Sequence, residues 1–166
     1  HQVKVFPRIP EKPYSGVLTY CKSINSLTLT SGVRAYQGAL DNILKSSGFY
    51  LSDSSNEANH WIEFDFDCKV VNLVSYEIQS INDTKWSYYY PISWKILGSN
   101  DRNKWDHLDI RPNCNELSEA NRDADFVCNF QSTKYYRYIR FLQTSGHNGW
   151  WKHFGIARIE FYGNVF

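Results

Sequence analysis

Trp61-Ile62-Glu63-Phe64-Asp65-Phe66 is the stretch that decides the fold. Its apolar side chains alternate with Glu63 and Asp65, so a strand built from it buries one face and wets the other. The same period of two recurs at residues 74–79, 92–96, 138–141 and 158–162. In the first two of these segments it places six side chains inward, namely Val74, Tyr76, Ile78, Ile92, Trp94 and Ile96. Strands with one wet face predict antiparallel sheets packed on a common core.

Polar stretches rich in turn-forming residues separate these segments. The sequence favours one short helix near residues 38–46, where Ala39, Ile43 and Leu44 form an apolar stripe. Many short strands with almost no helix indicate an all-β antiparallel sandwich or jelly roll. Residues 1–13, which contain three prolines, are expected to be a linker, and residues 14–166 a single domain.

Composition argues against several kinds of partner. The 166 residues carry a formal net charge of +1 and their basic residues do not cluster, so binding to nucleic acid is not expected. No run of about 18 apolar residues occurs, and a membrane-spanning helix is therefore not predicted. The 6 Trp, 12 Tyr and 10 Phe favour strands and also furnish binding surfaces.

The four cysteines, Cys21, Cys68, Cys114 and Cys128, contain no Cys-x-x-Cys pair, which argues against a zinc site. Cys68 keeps the parity of Phe64 and Phe66, and Cys128 keeps that of its neighbouring phenylalanines, so both are expected to be small buried hydrophobes. Free thiols are therefore favoured over two disulfides, and with them a reducing, cytoplasmic location. The triplet Asn82-Asp83-Thr84 is a glycosylation sequon, which supports the alternative of a secreted or cell-surface protein.

Catalytic motifs are not found in the sequence. Glu63 and Asp65 share one face, which is typical of a solvated sheet rather than of a paired acid and base. His147 and His153 are six residues apart, without the i,i+4 spacing of metal ligands on a helix. No nucleophile elbow, phosphate loop or dinucleotide fingerprint appears, so we expect a binding domain and no enzyme.

Four segments in order resemble the landmarks of the discoidin domain, also called the coagulation factor type C domain: residues 61–66, 94–105, 136–141 and 156–163. The resemblance implies an eight-stranded jelly roll of the galactose-binding-like class that binds a ligand without catalysis. Ligands in this family include galactose-like sugars, phospholipid head groups and protein surfaces. Residues 14–18, 113–117 and 143–144 resemble the intracellular eukaryotic branch, in which such domains accompany BTB-type domains, notably in protists.

Loops clustered at one end of a sandwich are the expected binding surface. Three segments supply candidates: residues 82–90, residues 147–153 and the long stretch 36–59, taken with the adjoining His60. Their flat aromatic rings suit sugar stacking or protein contacts, although some of the rings could instead close the end of the core. The predicted ligand-binding residues are Trp86, Tyr88, Tyr89, Tyr90, His147, Asn148, Trp150, Trp151, Tyr50 and His60.

Some family members hold a structural calcium in the region of residues 36–59, with a Glu contributed by the closing strand. Arg158 occupies that position in this chain, where a cation replaces the anion, so no cofactor is expected.

A protein partner docked on the aromatic loops is the favoured function, and a lectin-like module for galactose-type sugars is the alternative. Phospholipid or membrane-surface binding is a weaker alternative, because Lys85 and Lys152 supply few cations beside the aromatic loops. A longer multidomain chain is a further expected context for the domain.

Overall fold

The computed structural model describes residues 2–55, 60–118, 122–146 and 153–166, and these contain twelve strands and two short helices. The strands are β1 (Lys4–Phe6), β2 (Thr28–Ser31), β3 (Ala35–Gln37), β4 (Tyr50–Ser52), β5 (Trp61–Asp65), β6 (Val71–Gln79), β7 (Pro91–Ser99), β8 (Asp106–Arg111), β9 (Asp123–Val127), β10 (Tyr138–Gly146), β11 (Gly155–Ile156) and β12 (Arg158–Val165). The helices are α1 (Val17–Ser23) and a 3₁₀ helix (Leu40–Leu44).

Two antiparallel sheets form the sandwich, as the alternating pattern predicts. One sheet has the order β1-β12-β6-β9 and the other β2-β5-β10-β7-β8. Without the short edge strand β1, these sheets hold the eight strands expected of the jelly roll. A small third sheet, β11-β4-β3, lies at one end.

Strand register places several loops together. Trp61 at the start of β5 pairs with Leu142 near the end of β10, and Pro91 at the start of β7 pairs with Gly146. Gly155 of β11 pairs with Leu51 of β4. The β4–β5, β6–β7 and β10–β11 connections therefore start and finish at the same end of the sandwich, which we call the loop end.

A run of rings leads from the core to the loop end. Trp94 stacks on Phe141 at a centroid distance of 5.6 Å, and Phe141 stacks on Phe154 at 5.1 Å. Tyr50 meets Phe154 edge-on at 6.5 Å. All four side chains are buried. Close-packed aromatic contacts of this kind give the loops a rigid base.

Val74 was predicted to point inward, and this is wrong, because its side chain is 40% exposed. The pairing of β12 with β6 shifts register between Tyr162 and Gly163, which leaves Val74 as an extra residue on β6. Such a bulge reverses the parity of the strand. Tyr76 and Ile78 beyond the bulge are buried as predicted.

Two further predictions of burial fail for local reasons. Glu63 was expected on a wet face but is only 2% exposed, because Arg102 and Arg140 cover it with hydrogen bonds of 3.1 and 3.0 Å. Cys68 was expected inside and is exposed. The chain turns at Asp67, whose φ of 57° lies in the left-handed region and interrupts the alternation after Phe66.

Helix α1 was not predicted, and the helix expected near residues 38–46 is a single 3₁₀ segment. The apolar positions Val17, Leu18 and Cys21 do lie on one buried face of α1. The structure contains no helix, within the ranges it describes, that is long and apolar enough to cross a membrane.

The N-terminal segment expected to be a linker makes specific contacts. Its residues Lys4–Phe6 pair with β12. Arg8 bonds to Glu77 at 3.0 Å and to Asp125 at 3.1 Å, both on the outer face of the four-stranded sheet. At least this part of residues 1–13 packs as an integral part of the sandwich.

Candidate functional site

Four rings from three separate segments meet at the loop end: Tyr36, Trp86, Tyr89 and His153, which we call the aromatic cluster. Tyr36 lies edge-on to Trp86 with centroids 5.6 Å apart and lies 5.8 Å from His153. Tyr89 completes the cluster, 6.1 Å from Trp86 and 4.8 Å from His153. Tyr36 is 51% exposed, whereas the other three rings are half-buried. The cluster thus presents the ring of Tyr36 to solvent on a packed aromatic support.

Loop 82–90 holds its aromatic residues in different environments. The carbonyl of Asp83 accepts from the backbone N–H groups of Trp86 and Ser87 at 3.0 and 2.8 Å, which winds the loop into a tight turn. Tyr88 is 58% exposed, whereas Tyr90 is 8% exposed and belongs to the core. Burial raises the pKa of the Tyr90 hydroxyl. Of the four predicted rings, Trp86 and Tyr89 enter the aromatic cluster and Tyr88 faces solvent.

Ser52 at the end of β4 ties the cluster to the sandwich. Its carbonyl lies 2.6 Å from Nδ1 of His153, and its hydroxyl accepts from the backbone N–H of Phe154 at 2.8 Å. Because a carbonyl only accepts, Nδ1 of His153 carries a proton and donates this hydrogen bond. Gln143 donates to the carbonyl of His153 at 3.0 Å, which fixes this residue from the other side.

Tyr50 and His60, two of the predicted ligand-binding residues, lie beneath this surface. Tyr50 is 1% exposed and donates to the carbonyl of Val33 at 2.9 Å. His60 is 5% exposed and lies between the Ser52 hydroxyl and the carbonyl of Ser55, each at 3.2 Å. In this arrangement the two side chains support the site and do not line its surface, because all three residues of β4 are buried and the ring of His60 lies against Ser52 on that strand.

Asp53 and Arg34 add charge beside the cluster. Nε of Arg34 lies 3.0 Å from Oδ2 of Asp53. The hydrogen bond from Arg34 lowers the pKa of Asp53, and the Ser54 N–H and the nearby His153 lower it further. The carboxylate of Asp53 thus stays ionised at neutral pH and adds a negative charge at the loop end.

His147, Asn148, Trp150 and Trp151, the remaining predicted site residues, lie outside the described residues. Gln143 lies on β10, three residues before the end of that strand. Its Oε1 atom is buried and has no hydrogen-bond partner among the residues that the structure describes. A buried acceptor without a partner is rare and costs free energy, so such an atom is a candidate for contact with water or ligand.

The positions discussed for calcium are occupied by other interactions. The guanidinium of Arg158 lies 4.3 Å from the ring centre of Tyr14. Asn42 donates to the carbonyl of Phe49 at 3.1 Å, and Asp41 pairs with Lys45 at 3.6 Å. A cation stacked at the position of the acidic ligand does not fit a calcium site.

Tyr36 is the main site residue that the sequence analysis did not select, and His153 was noted only as part of its loop. Tyr36 lies on a strand of three exposed residues, which carries no alternation to reveal it. Its place in the cluster comes from the pairing of β3 with β4. This long-range pairing leaves no signal in the local sequence.

Comparison with proteins of known structure gives the same architecture. The chain superposes on a family 89 glycoside hydrolase from Clostridium perfringens with a TM-score of 0.56 and 18% identity, over 85% of this chain but only 14% of that enzyme. CpGH89CBM32-5 from Clostridium perfringens, in complex with GalNAc-β-1,3-galactose, gives a TM-score of 0.62 at 10% identity, covering 86% of this chain and 96% of that one. The lectin domain of lectinolysin, complexed with Lewis B antigen, gives 0.58 at 14% identity, covering 82% and 91%.

Sequence comparison identifies the family. None of the curated proteins matches the chain. The family model described as the F5/8 type C domain matches residues 23–156, which is most of the sandwich. The landmarks found in the sequence, the jelly-roll sheets and this match agree, and the chain belongs to the F5/8 type C domain family.

Proposed function

We propose that this domain is a non-catalytic carbohydrate-binding module that takes a sugar at its loop end. The observation that carries the proposal is the aromatic cluster, in which the half-exposed ring of Tyr36 stands beside polar groups of His153 and Asp53. A flat ring offers an apolar surface to the carbon-bound hydrogens of a sugar. A few fixed donors and acceptors next to it can bind the hydroxyl groups.

The similar structures support a sugar over the protein partner favoured from sequence. CpGH89CBM32-5 and the lectin domain of lectinolysin both carry glycans, and the first spans nearly the same length of chain. A phospholipid surface would require exposed cations around the rings. Lys85 is exposed beside Trp86, with its ammonium 4.9 Å from the ring centre, but the charge of Arg34 is offset by its ion pair with Asp53. The described residues therefore give this surface little net positive charge.

Absence of catalysis is part of the proposal and rests on how the acidic side chains are used. Asp109 is fully buried, accepts from the hydroxyl of Tyr76 and pairs with Arg111 at 2.8 Å. Glu63 is covered by its two arginines. Carboxylates engaged in such pairs are not available as a general acid and base.

We also propose that the domain belongs to the intracellular, BTB-associated branch and is located in the cytoplasm. The four free cysteines support this location.

Trp86→Ala tests the proposed site. We expect the wild type to bind neutral galactose-type glycans on an array, and the variant to bind them at least about tenfold more weakly, which is ~1.4 kcal/mol. Affinity for GalNAc-β-1,3-galactose is measured by isothermal titration calorimetry. Trp105→Ala is the matched control, because Trp105 is also half-buried but lies in the β7–β8 turn at the opposite end.

Equal affinity of Trp86→Ala and the wild type, with both folded, would refute this location. No binding to any glycan, together with specific capture of one protein from cell extract, would refute the carbohydrate function and favour a protein partner.

A further inference from the structure

A polar cleft shares loop 82–90 with the proposed sugar site. Its volume is about 390 Å³. It is lined by Ser46, Ser47, Gly48, Phe49, Gln79, Asn82, Asp83 and Ala157. Asn82 and Asp83 of loop 82–90 therefore line the cleft. Trp86, three residues after Asp83 in the same loop, belongs to the aromatic cluster.

Both walls of the cleft are built by local hydrogen bonds. On one wall, Asn42 donates to the carbonyl of Phe49 at 3.1 Å, and Gly48 makes the turn with a φ of 89°. On the other wall, the Asp83 carboxylate accepts from the backbone N–H of Lys85 at 2.9 Å. Walls fixed before binding lower the entropic cost of ordering them around a ligand.

The lining indicates an uncharged, hydroxyl-rich ligand. Hydroxyl groups of Ser46 and Ser47 and the amide of Asn82 make no hydrogen bond with the other residues that the structure describes, and all three residues are exposed. Phe49 adds a half-buried apolar face. The lining has one carboxylate, that of Asp83, and no cation among the described residues, which disfavours sulfated or sialylated sugars and phosphate.

We infer that the cleft is a second sugar subsite, so that the domain binds a neutral oligosaccharide along both flanks of loop 82–90 and not a terminal monosaccharide alone. This inference rests on the proposed function. One sugar unit lies against the aromatic cluster, and the next units enter the cleft, where Ser47 and Asn82 bind their hydroxyl groups.

Three neutral probes of increasing length test the inference: galactose, GalNAc-β-1,3-galactose and the Lewis B oligosaccharide. We expect the affinity of the wild type, measured by isothermal titration calorimetry, to rise at least about tenfold from galactose to the longest probe that fits both subsites. Ser47→Trp fills the cleft with an indole from an exposed position. It should remove that gain and leave the affinity for galactose within about twofold of the wild type.

Thr133→Trp is the matched control, because Thr133 is exposed in the β9–β10 connection, at the end opposite the loop end. Asn82→Ala is a milder second variant and should lose part of the gain. Thermal melts verify that each variant is folded.

Galactose binding with no gain for longer probes, or a gain that survives Ser47→Trp, overturns the second subsite and leaves the proposed function intact. Failure of every probe overturns both.

Discussion

Ser52 connects three segments of the loop end through one carbonyl and one hydroxyl. The hydroxyl accepts a hydrogen bond from the backbone N–H of Phe154 and is hydrogen-bonded to the ring of His60, and all three residues are buried. The carbonyl holds His153 in the aromatic cluster. A small polar residue at the end of a buried strand thereby orients the rings of the proposed site.

Ser52→Ala removes the hydroxyl and leaves two buried polar groups without their partner. We expect the free energy of unfolding to fall by roughly 1–3 kcal/mol. Affinity for GalNAc-β-1,3-galactose should fall as well, because Phe154, which directly follows His153 in the chain, loses its hydrogen bond to the Ser52 hydroxyl. Urea denaturation and calorimetry measure the two effects. Ser54→Ala, at an exposed position two residues away, should change neither, and an unaltered stability of Ser52→Ala would contradict the role given to its hydroxyl.

Single residues of the site are predictable from sequence only where composition is unusual. The concentration of rings in residues 82–90 revealed Trp86 and Tyr89, which the structure places in the aromatic cluster. The same signal could not separate them from Tyr90, which packs into the core. Tyr36 carried no signal, because its role depends on which strand β3 pairs with.

At the scale of elements, helix α1 begins without a side-chain cap of its own, since Gly16 occupies the N-cap position. Glu160 on β12 takes over this role from outside the helix. Its carboxylate accepts from the backbone N–H groups of Gly16 and Leu18 at 2.9 and 2.7 Å, and from the hydroxyl of Thr19 at 2.7 Å. A negative charge at a helix N-terminus satisfies free N–H groups and interacts favourably with the helix dipole.

Glu160→Gln tests this cap with a side chain of nearly the same shape. The amide nitrogen would face backbone N–H donors, so we expect a loss of about 2–3 kcal/mol in the free energy of unfolding. Glu116→Gln at an exposed position is the control and should cost much less. Guanidinium denaturation followed by fluorescence measures both. A loss for Glu160→Gln no larger than that of the control would show that the cap adds little.

The elements themselves were predictable where alternation is strict and unpredictable where another segment overrides it. The apolar residues of β5, β7 and β10 follow the period of two because each strand is covered by the core on one side, although Glu63 on the other face of β5 is also buried. β6 breaks the period at the bulge in its pairing with β12. No pattern in the local sequence predicts this bulge. Helix α1 is too short to show periodicity and depends on Glu160, which lies more than 130 residues further along the chain.

At the scale of the whole molecule, ion pairs cover the outer faces of both sheets. On the five-stranded sheet, Arg140 lies between the rings of Trp61 and Trp105, 3.8 and 4.4 Å from their centres, while bonded to Glu63. On the four-stranded sheet, Arg8 reaches Glu77 and Asp125. With both faces occupied in this way, both proposals are placed at the loop end, where the rings of the aromatic cluster meet and Tyr36 and Tyr88 are exposed.

The four cysteines are free thiols in very different surroundings. Cys21 and Cys128 are buried, and burial raises the pKa of each to about 12. Cys114 is half-buried, with a pKa raised by burial, and Cys68 is exposed. Since the thiolate is the reactive form, burial and the raised pKa both predict slow reaction of Cys21, Cys114 and Cys128, and Cys68 is expected to react first because it is exposed.

Iodoacetamide at pH 8 should therefore modify Cys68 first and Cys114 more slowly, and should reach Cys21 and Cys128 only after unfolding. Peptide mass spectrometry over a time course measures the order, and complete labelling in denaturant without reductant should add four groups. A native mass lower by about two hydrogens for each bridge, with a pair of cysteines that resists labelling until reduced, would contradict free thiols. That result would also remove the support for a reducing compartment and move the proposed location to the cell surface or beyond.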